Sequence, residues 1–419
     1  MPGAWSQDEG TTWGKGPHVT HHGNVHVPDL PSTRGNTAPP MLAEGMPSPS
    51  SKAHLLSRIS VELSRRCNLR CIYCYASASR DIRRHGLADE EAKLIVDQAI
   101  ALGAKKVVVV GGGEPFMTDM MKPGGRFNLV EYVCGRSAYV HVFTNCTLIT
   151  RDLAHWLAER AVSVIGKLNS LRPRIQDHLV GGCGRSSRIM NGIEALLCTG
   201  FAEAQPSRLA LATIICRQNY DELPDLWRWM RQRHIVPYVE IPTLQGRAKQ
   251  NQEDLFFSEH EAPSRYKEVF EELLRIDQAE FGFTWTPHPP HVARSCDLYH
   301  TNCYVNAEGG VQPCAGVDEE YGHLRVGRRQ ASGQTLRSIL GSSRFQECRN
   351  VARRVGEPCK SCGLRGQCYG CRGNAWHLTG DIFAGDATCW RSRLGDGNSR
   401  AAADVLPSED GGGLVRMSS

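Results

Sequence analysis

With 419 residues, a formal net charge of +5 and 41% apolar residues, the chain can form two or three ordinary domains and bury a sizeable core. Basic residues are scattered rather than run together, so no nucleic-acid partner is expected. Nothing approaches the roughly eighteen consecutive apolar residues of a membrane span, and the first thirty residues lack the pattern of a secretory signal. The expected location is cytoplasmic, where the 17 cysteines point to metal ligation or catalysis more than to disulfides.

Residues 1–52 are rich in Pro, Gly, Ser and Thr without a sustained period, and are expected to be a disordered tail. The stretch HVTHHGNVH (18–26) reads as solvated tail, with metal binding as the alternative. From about 57 to 245 short β-branched runs precede amphipathic stretches. The runs are ISVEL (59–63), KVVVVG (106–111), YVHVFT (139–144), SVIGKL (163–168), RLALATII (208–215) and VPYVEI (236–241). The amphipathic stretches include 89–102 and 221–233. This alternation predicts parallel βαβ units, and six units predict an open, partial barrel of α/β class. Parallel sheets place their chemistry at the C-terminal ends of strands, where the loops SRRCNLRC, GGGEP and TNC all fall. Residues 259–294 read as a connecting helix (259–277) and linker. Residues 295–392 are dense in cysteine and weak in periodicity, a texture expected of a lobe held by metal more than by a large apolar core. Residues 393–419 read as a flexible tail.

The stretch SRRCNLRCIYCYA (64–76) carries Cys67, Cys71 and Cys74 directly after a predicted strand. A structural zinc site takes four ligands, whereas three thiolates on a 4Fe–4S cluster leave one iron open. The spacing Cys-x3-Cys-x2-Cys, with Tyr73 before the last cysteine, resembles the signature of the radical S-adenosylmethionine (SAM) superfamily. The resemblance extends over residues 57–245 and implies a partial (β/α)6 barrel over 53–258. In that family SAM completes the open iron and is cleaved reductively to a 5′-deoxyadenosyl radical. By the same resemblance Gly112, Gly113 and Glu114 of GGGEP would hold the SAM amino group. Thr144 and Asn145 of TNC would face the ribose, with Cys146 standing where relatives carry Gly. KLNS (167–170) departs from the family's Ser-x-Asp-Gly. There Asn169 is a cofactor-binding candidate, and Lys167 either pairs with an acid of SAM or substrate or is a solvated loop residue.

The remaining cysteine field resembles the SPASM extension of radical SAM maturases. Cys296-x12-Gly309-x4-Cys314 matches its first part, Cys359-x2-Cys362-x5-Cys368-x2-Cys371 its second with a final gap one residue short, and Cys389 its last ligand. That resemblance implies two fully ligated auxiliary 4Fe–4S clusters. One would take Cys296, Cys303, Cys314 and Cys371; the other would take Cys359, Cys362, Cys368 and Cys389. Cys348, Cys134, Cys146, Cys183, Cys198 and Cys216 are expected to be small buried hydrophobes, with Cys183 alternatively reactive in its loop. Ala315 stands where sulfatase-maturing relatives place an Asp base, which argues against that activity.

The resemblance implies hydrogen abstraction from a peptide or natural-product substrate, giving oxidation, cross-linking or epimerisation. A small metabolite such as an aminocyclitol, sugar or nucleoside is the alternative, and a noncatalytic iron–sulfur sensor or scaffold is a further one. Lys167, Asp177, Glu240, Asp297 and Asp318 are the candidate acid–base groups. Expected partners are a flavodoxin- or ferredoxin-type electron donor and, for a peptide substrate, a separate leader-peptide-binding protein.

Overall fold

The computed structural model describes residues 55–81, 86–296, 298–325, 334–395 and 415–416. The expected N-terminal tail, the His stretch within it, Asp297 and nearly all of the expected C-terminal tail lie outside them. Six parallel strands come first and pair in sequence order: β1 (Arg58–Glu62), β2 (Lys106–Val110), β3 (Tyr139–Thr144), β4 (Val162–Lys167), β5 (Leu209–Ile214) and β6 (Val236–Glu240). Each lies within a residue or two of the run that predicts it. Helices α1 (Asp89–Ala101), α2 (Leu129–Cys134), α3 (Arg151–Ala158), α4 (Pro173–Val180), α5 (Arg185–Leu197) and α6 (Leu223–Gln232) connect them. The result is the expected partial barrel.

Strand side chains alternate between faces. Ile59, Val61, Val107, Val109, Val140, Val142 and Val164 join one continuous apolar core with Ile95 and Val96 of α1, each such burial contributing ~1.5–3 kcal/mol. The opposite parity faces the barrel interior and is mixed: Ser60, Glu62, His141, Ser163, Lys167, Tyr238 and Glu240 share it with a small apolar cluster of Ile165, Ala210, Ala212 and Val236.

After β6 come α7 (Arg247–Gln250), α8 (Gln252–Leu255), α9 (Ala262–Ile276) and β7 (Phe283–Thr284). The connecting helix expected over 259–277 is therefore present. Asp277, fully buried at its end, accepts from Trp227 at 2.7 Å and pairs with Arg231 at 2.7 Å, tying it to α6.

The cysteine-rich segment holds α10 (Leu298–Thr301), β8 (Tyr304–Val305), β9 (Gly310–Gln312), β10 (Gly322–His323), α11 (Leu336–Gly341), α12 (Ser343–Arg349), α13 (Val351–Arg354), α14 (Arg372–Thr379) and α15 (Trp390–Arg393). β8 lies parallel to β1, and β9 and β10 continue antiparallel, so one sheet runs β10-β9-β8-β1-β2-β3-β4-β5-β6. The sequence leads one to expect a lobe held by metal more than by a large apolar core, but part of the segment joins the main core. Val305, Val311, Leu336, Ile339 and Phe345 belong to the main core. Strands of two or three residues are too short to show a period in the sequence. A small separate cluster around Tyr299, Val317, Val351, Tyr369 and Ile382 underlies the rest. Among the described residues no helix is long and apolar enough to cross a membrane.

Candidate active site and cysteine clusters

Cys67, Cys71 and Cys74 lie on the loop after β1, close enough for each thiol to feel its neighbours. Burial pushes Cys67 up to about 11 and Cys71 up to about 12, and the charges of the other thiols of the loop add to both rises. Backbone N–H groups of Leu69 and Ala78 donate to the sulfurs of Cys67 and Cys74, each at 3.4 Å. Cys67 and Cys71 thus resist becoming thiolates unless a cation joins the loop, and metal binding would release their protons. A cluster of several iron atoms suits this donor set, since its thiolates stand further apart than the ligands of one ion. Among the described residues, no three His, Cys, Asp or Glu side chains close on a single ion.

The GGGEP loop meets the cysteine loop directly. Sequence reasoning assigns its glycines to close approach of a ligand. In the structure the close approach is to protein: a Cβ on Gly113 would lie 2.1 Å from the Arg66 carbonyl oxygen, and one on Gly112 would overlap the Glu62 side chain. Glu114 N–H donates to the same Arg66 carbonyl at 2.8 Å. The Glu114 carboxylate accepts from Thr144 Oγ1 at 2.8 Å, Asn145 N–H at 2.7 Å and Phe116 N–H at 3.2 Å. Burial raises this carboxyl to about 7, against the pull of those donors. The Asn145 side chain turns to the cysteine loop, donating to Asn68 Oδ1 at 2.9 Å and to Cys67 Sγ at 3.8 Å. GGGEP, TNC and the three cysteines thus form one hydrogen-bonded unit. Cys146 has φ 62°, the left-handed conformation that suits Gly. Its fully buried thiol fits because Gly166 faces it: a Cβ there would lie 2.7 Å from the sulfur.

Tyr73 sits beneath the loop, its hydroxyl within reach of Cys71 and Asn169. Asn169 is fully buried and holds the chain turn, accepting from Ile214 N–H at 3.0 Å. Lys167 is not a solvated loop residue: its ammonium lies 5.2 Å from the Tyr73 ring centre, and burial lowers its pKa while Glu240 pulls it back up. Glu240, at the end of β6, is raised by burial, with Lys167 and Arg294 opposing. His291 Nδ1 lies 3.5 Å from its carboxylate. Lys167 and Glu240 therefore share the barrel interior beside the cysteine loop. The other two described carboxylates do not join them. Asp177 is spent on the turn before α5, accepting from Gly184 N–H at 2.5 Å and Ser186 N–H at 2.6 Å. Asp318 is exposed and accepts from Trp376 Nε1 at 2.6 Å.

Cys359, Cys362, Cys368 and Cys389 line one cavity of about 140 Å³. Asp386 N–H donates to Cys359 Sγ at 3.4 Å and Gly370 N–H to Cys368 Sγ at 3.3 Å. This set fits a cluster as four thiolates should. Cys371 lies within electrostatic reach of Cys314 and Cys296. Cys303 does not join them: it is fully buried in the main apolar core, beside Arg349. Of the six unassigned cysteines, Cys146, Cys216 and Cys348 are buried as expected and Cys134 is half-buried, but Cys183 and Cys198 are exposed. Both sit where an element ends, Cys183 in the turn before α5 and Cys198 at its C-terminal cap, so neither meets the apolar face.

The clamp on the cysteine loop was not foreseen. Arg247 donates through Nε to the Cys71 carbonyl at 2.7 Å and through Nη2 to that of Ala78 at 2.9 Å; its backbone N–H donates to Cys74 O at 2.9 Å. Asn251 Nδ2 donates to Ile72 O at 3.1 Å. Gly246, at φ 56°, lets this segment touch the loop: a Cβ would lie 2.1 Å from the Tyr75 carbonyl oxygen. The sole hint in the sequence is a glycine among polar residues. Gly246→Ala is expected to destabilise the fold by about 1–3 kcal/mol, read as a lower urea midpoint under anaerobic conditions. An unchanged midpoint would mean that the clamp yields without cost.

Residues 61–230 match the Radical SAM superfamily. Among curated proteins, the chain is 23% identical over 361 residues to the AdoMet-dependent heme synthase of Methanosarcina barkeri, a match covering 79% of this chain and 95% of that protein. It is 25% identical over 367 residues to the PqqA peptide cyclase of Rhizobium meliloti, covering 83% and 92%. In fold it resembles Streptococcus suis SuiB bound to S-adenosylmethionine, with TM-score 0.57, 16% identity and coverage of 80% and 77%. It likewise resembles native anSMEcpe with bound AdoMet and Cp18Cys peptide, with TM-score 0.57, 16% identity and coverage of 79% and 93%. The chain thus carries a segment, residues 61–230, similar to the radical SAM superfamily, folded as a partial barrel and followed by the cysteine-rich segment.

Proposed function

We propose that this protein is a radical SAM oxidoreductase that abstracts hydrogen from a peptide or natural-product substrate, with Cys67, Cys71 and Cys74 holding the SAM-binding 4Fe–4S cluster. The observation that supports this most is the single bonded unit of cysteine loop, GGGEP and TNC at the C-terminal mouth of a parallel barrel. Bound there, cluster and SAM would supply a 5′-deoxyadenosyl radical. The chain's own residues would do the rest. Glu114 keeps free acceptor capacity for an ammonium beyond its three donors. Thr144, Asn145, Asn169 and Tyr73 would be the residues that hold the nucleoside. Lys167 and Glu240 supply a cation and a proton acceptor inside the barrel, away from bulk water. We assign residues 53–258 to the barrel domain, 259–294 to the connection and 295–392 to the auxiliary lobe, whose two cysteine sets would carry the auxiliary clusters. A flavodoxin- or ferredoxin-type donor would supply the electron.

The decisive experiment is anaerobic reconstitution, reduction with dithionite and assay for 5′-deoxyadenosine. Stoichiometric zinc with little iron or acid-labile sulfide, or no nucleoside product from a fully loaded protein, would leave only a sensor or scaffold role. A small-molecule substrate is the second reading. It is favoured by the likeness to heme synthases over most of the chain, and a parallel assay with an iron porphyrin beside candidate peptides separates the two.

The Glu114 assignment carries a pH dependence. Its carboxyl, raised to about 7 by burial, holds a proton below that value and cannot then pair with the SAM ammonium. SAM affinity is expected to weaken as pH falls, by up to about tenfold from pH 8 to 6, measured by equilibrium dialysis. A flat profile in the wild type, or the same slope in Glu114→Gln, would remove Glu114 from that role.

A further inference from the structure

β6 and the segment that leads to Cys296 build one wall of the barrel interior. Val292 N–H donates to the Val239 carbonyl at 2.8 Å and Ile241 N–H to that of Pro290 at 2.9 Å, and His291 bridges Glu240 in the antiparallel sense. Ala293 then takes a φ of 59°, a conformation that few residues with a Cβ adopt, and half-buried Arg294 follows. Its guanidinium stacks on the Tyr238 ring, 4.5 Å from the ring centre. The same ring meets His291, with centres 5.2 Å apart. Arg294 also lies within electrostatic reach of Glu240 and of His141 on β3.

Register fixes what lies opposite. Lys167 pairs with Ala212 across β4 and β5, and Ala212 with Tyr238 across β5 and β6. One row therefore runs from a lysine over an alanine to the tyrosine on which Arg294 stacks. Lys167 and Tyr238 stand two strand spacings apart, roughly 9–10 Å, and the methyl group of Ala212 is too small to fill the space between them. The next row toward the strand starts, Ile165, Ala210 and Val236, is apolar.

The polar groups around this space lack partners. Among the described residues no carboxylate pairs with Arg294; Glu240, whose charge it feels, lies 3.5 Å from His291 Nδ1 instead. His141 and His291 are only 8% and 9% exposed, yet His141 Nε2 and His291 Nδ1 have no hydrogen-bond partner. Buried polar atoms left so are costly and call for an explanation. The charges also leave room for one more. Lys167 and Arg294 bring two positive charges and Glu240 one negative. Arg58 and Lys106, which start β1 and β2, act on His141 too but have interactions of their own. A single further negative charge balances the set, which suits a carboxylate better than a phosphate dianion.

We infer that the space over Ala212 is a subsite for a carboxylate of the substrate, held by the planar fork of Arg294 and by His141, with an apolar part of the substrate against Ile165, Ala210 and Ala212. Arg294 is then a specificity-determining residue, since a guanidinium stacked on an aromatic ring is pre-set for bidentate recognition of a carboxylate. This rests on the proposed function and deepens it by naming the substrate class, an acid with an apolar body, bound beside Glu240.

The test uses the full chain, reconstituted anaerobically and loaded with SAM but not reduced, so that binding is read apart from turnover. Benzoate is the probe, measured by equilibrium dialysis, with benzamide as its uncharged analogue and phenyl phosphate as the dianion. Benzoate is expected to bind at least about tenfold more tightly than benzamide, as a charged hydrogen-bonded pair implies, and more tightly than phenyl phosphate. Arg294→Gln is expected to erase the preference for benzoate over benzamide, and Arg294→Lys to keep part of it. Arg294 lies two residues from Cys296, so iron content and urea midpoint are measured on each variant; should the Gln protein lose either, the Lys protein and the wild-type comparison of the three probes decide. No binding of benzoate, equal affinity for benzoate and benzamide, tighter binding of phenyl phosphate, or an unchanged preference in an intact Arg294→Gln protein would each overturn the subsite. A protein that shows the preference but makes no 5′-deoxyadenosine after reduction would instead keep the subsite and defeat the oxidoreductase reading.

Discussion

A chain with Cys67, Cys71 and Cys74 all replaced by Ala is expected to make no detectable 5′-deoxyadenosine while retaining about eight of its twelve irons, taking four per cluster. The expectation follows from where the three thiols sit. They occupy a loop with anchors besides its thiols, among them Arg70 N–H to Val180 O at 3.2 Å, Ile72 N–H to Leu179 O at 3.0 Å, and the Arg247 bonds to Cys71 and Ala78. None of these uses a cysteine side chain, so the loop keeps its anchors when the thiols go. The auxiliary cysteines lie on segments after residue 290 and draw their order from β8 and β9 in the common sheet and from their own apolar cluster. Iron content and nucleoside formation are measured on one preparation. Continued 5′-deoxyadenosine formation would show that the catalytic cysteines have been misassigned. Loss of all iron would show that the two regions do not load independently.

The strands were readable because their residues answer to local rules. Val-rich runs form buried parallel strands whatever lies at a distance, and each of the six appears within a residue or two of its expected place. Contacts between distant segments were not readable. The glycines of GGGEP suggest a close approach, but the partner is the Arg66 carbonyl, more than forty residues earlier. A likeness of spacing counts residues along the chain and is blind to strand parity, so it groups Cys303 with thiols that lie on the other side of a sheet. Arg247 and Asn251 carry no periodic signal, because their work is to hold carbonyl groups of a loop whose shape only the fold defines. Candidate carboxylates were the least legible. Asp177 and Glu240 look alike in a list of residues, yet one closes a turn and the other lies beside Lys167 in the barrel interior.

Replacing Cys359 by Ala is expected to stop product formation while leaving some SAM cleavage uncoupled from it. The proposed machinery for SAM ends before residue 245, apart from the clamp at 246–251, and none of it touches Cys359. The barrel mouth, by contrast, is covered by the segment that Cys359 helps to order. Asn374 Oδ1 in α14 accepts from Leu244 N–H at 3.2 Å, in the loop after β6, and Gly373 lies against Thr243. Helix α14 is in turn set by Cys371 and Arg372. Cys371 N–H donates to Asp386 at 2.7 Å, and Arg372 donates to the carbonyls of Ile382 at 2.9 Å and Ala384 at 2.6 Å. Asp386 N–H and the Arg372 guanidinium both donate to Cys359 Sγ, at 3.4 Å and 3.9 Å. Cys359 thus sits at the hub that fixes the cover, in a part of the segment served by a small apolar cluster. Such segments draw much of their folding free energy from metal, and losing one ligand removes a large part of it. With the cover loosened, water and misplaced substrate reach the barrel interior, and SAM is consumed without product. The measurement is the ratio of product to 5′-deoxyadenosine, close to one for a coupled enzyme and expected to fall at least about tenfold in the variant, a loss of roughly 1.4 kcal/mol in partitioning. Cys389→Ala should behave alike, since both thiols line the same cavity. An unchanged ratio in Cys359→Ala would show that the cover orders itself without this ligand. Equal loss of both products would show that the two regions fold as one unit and that SAM cleavage depends on the lobe.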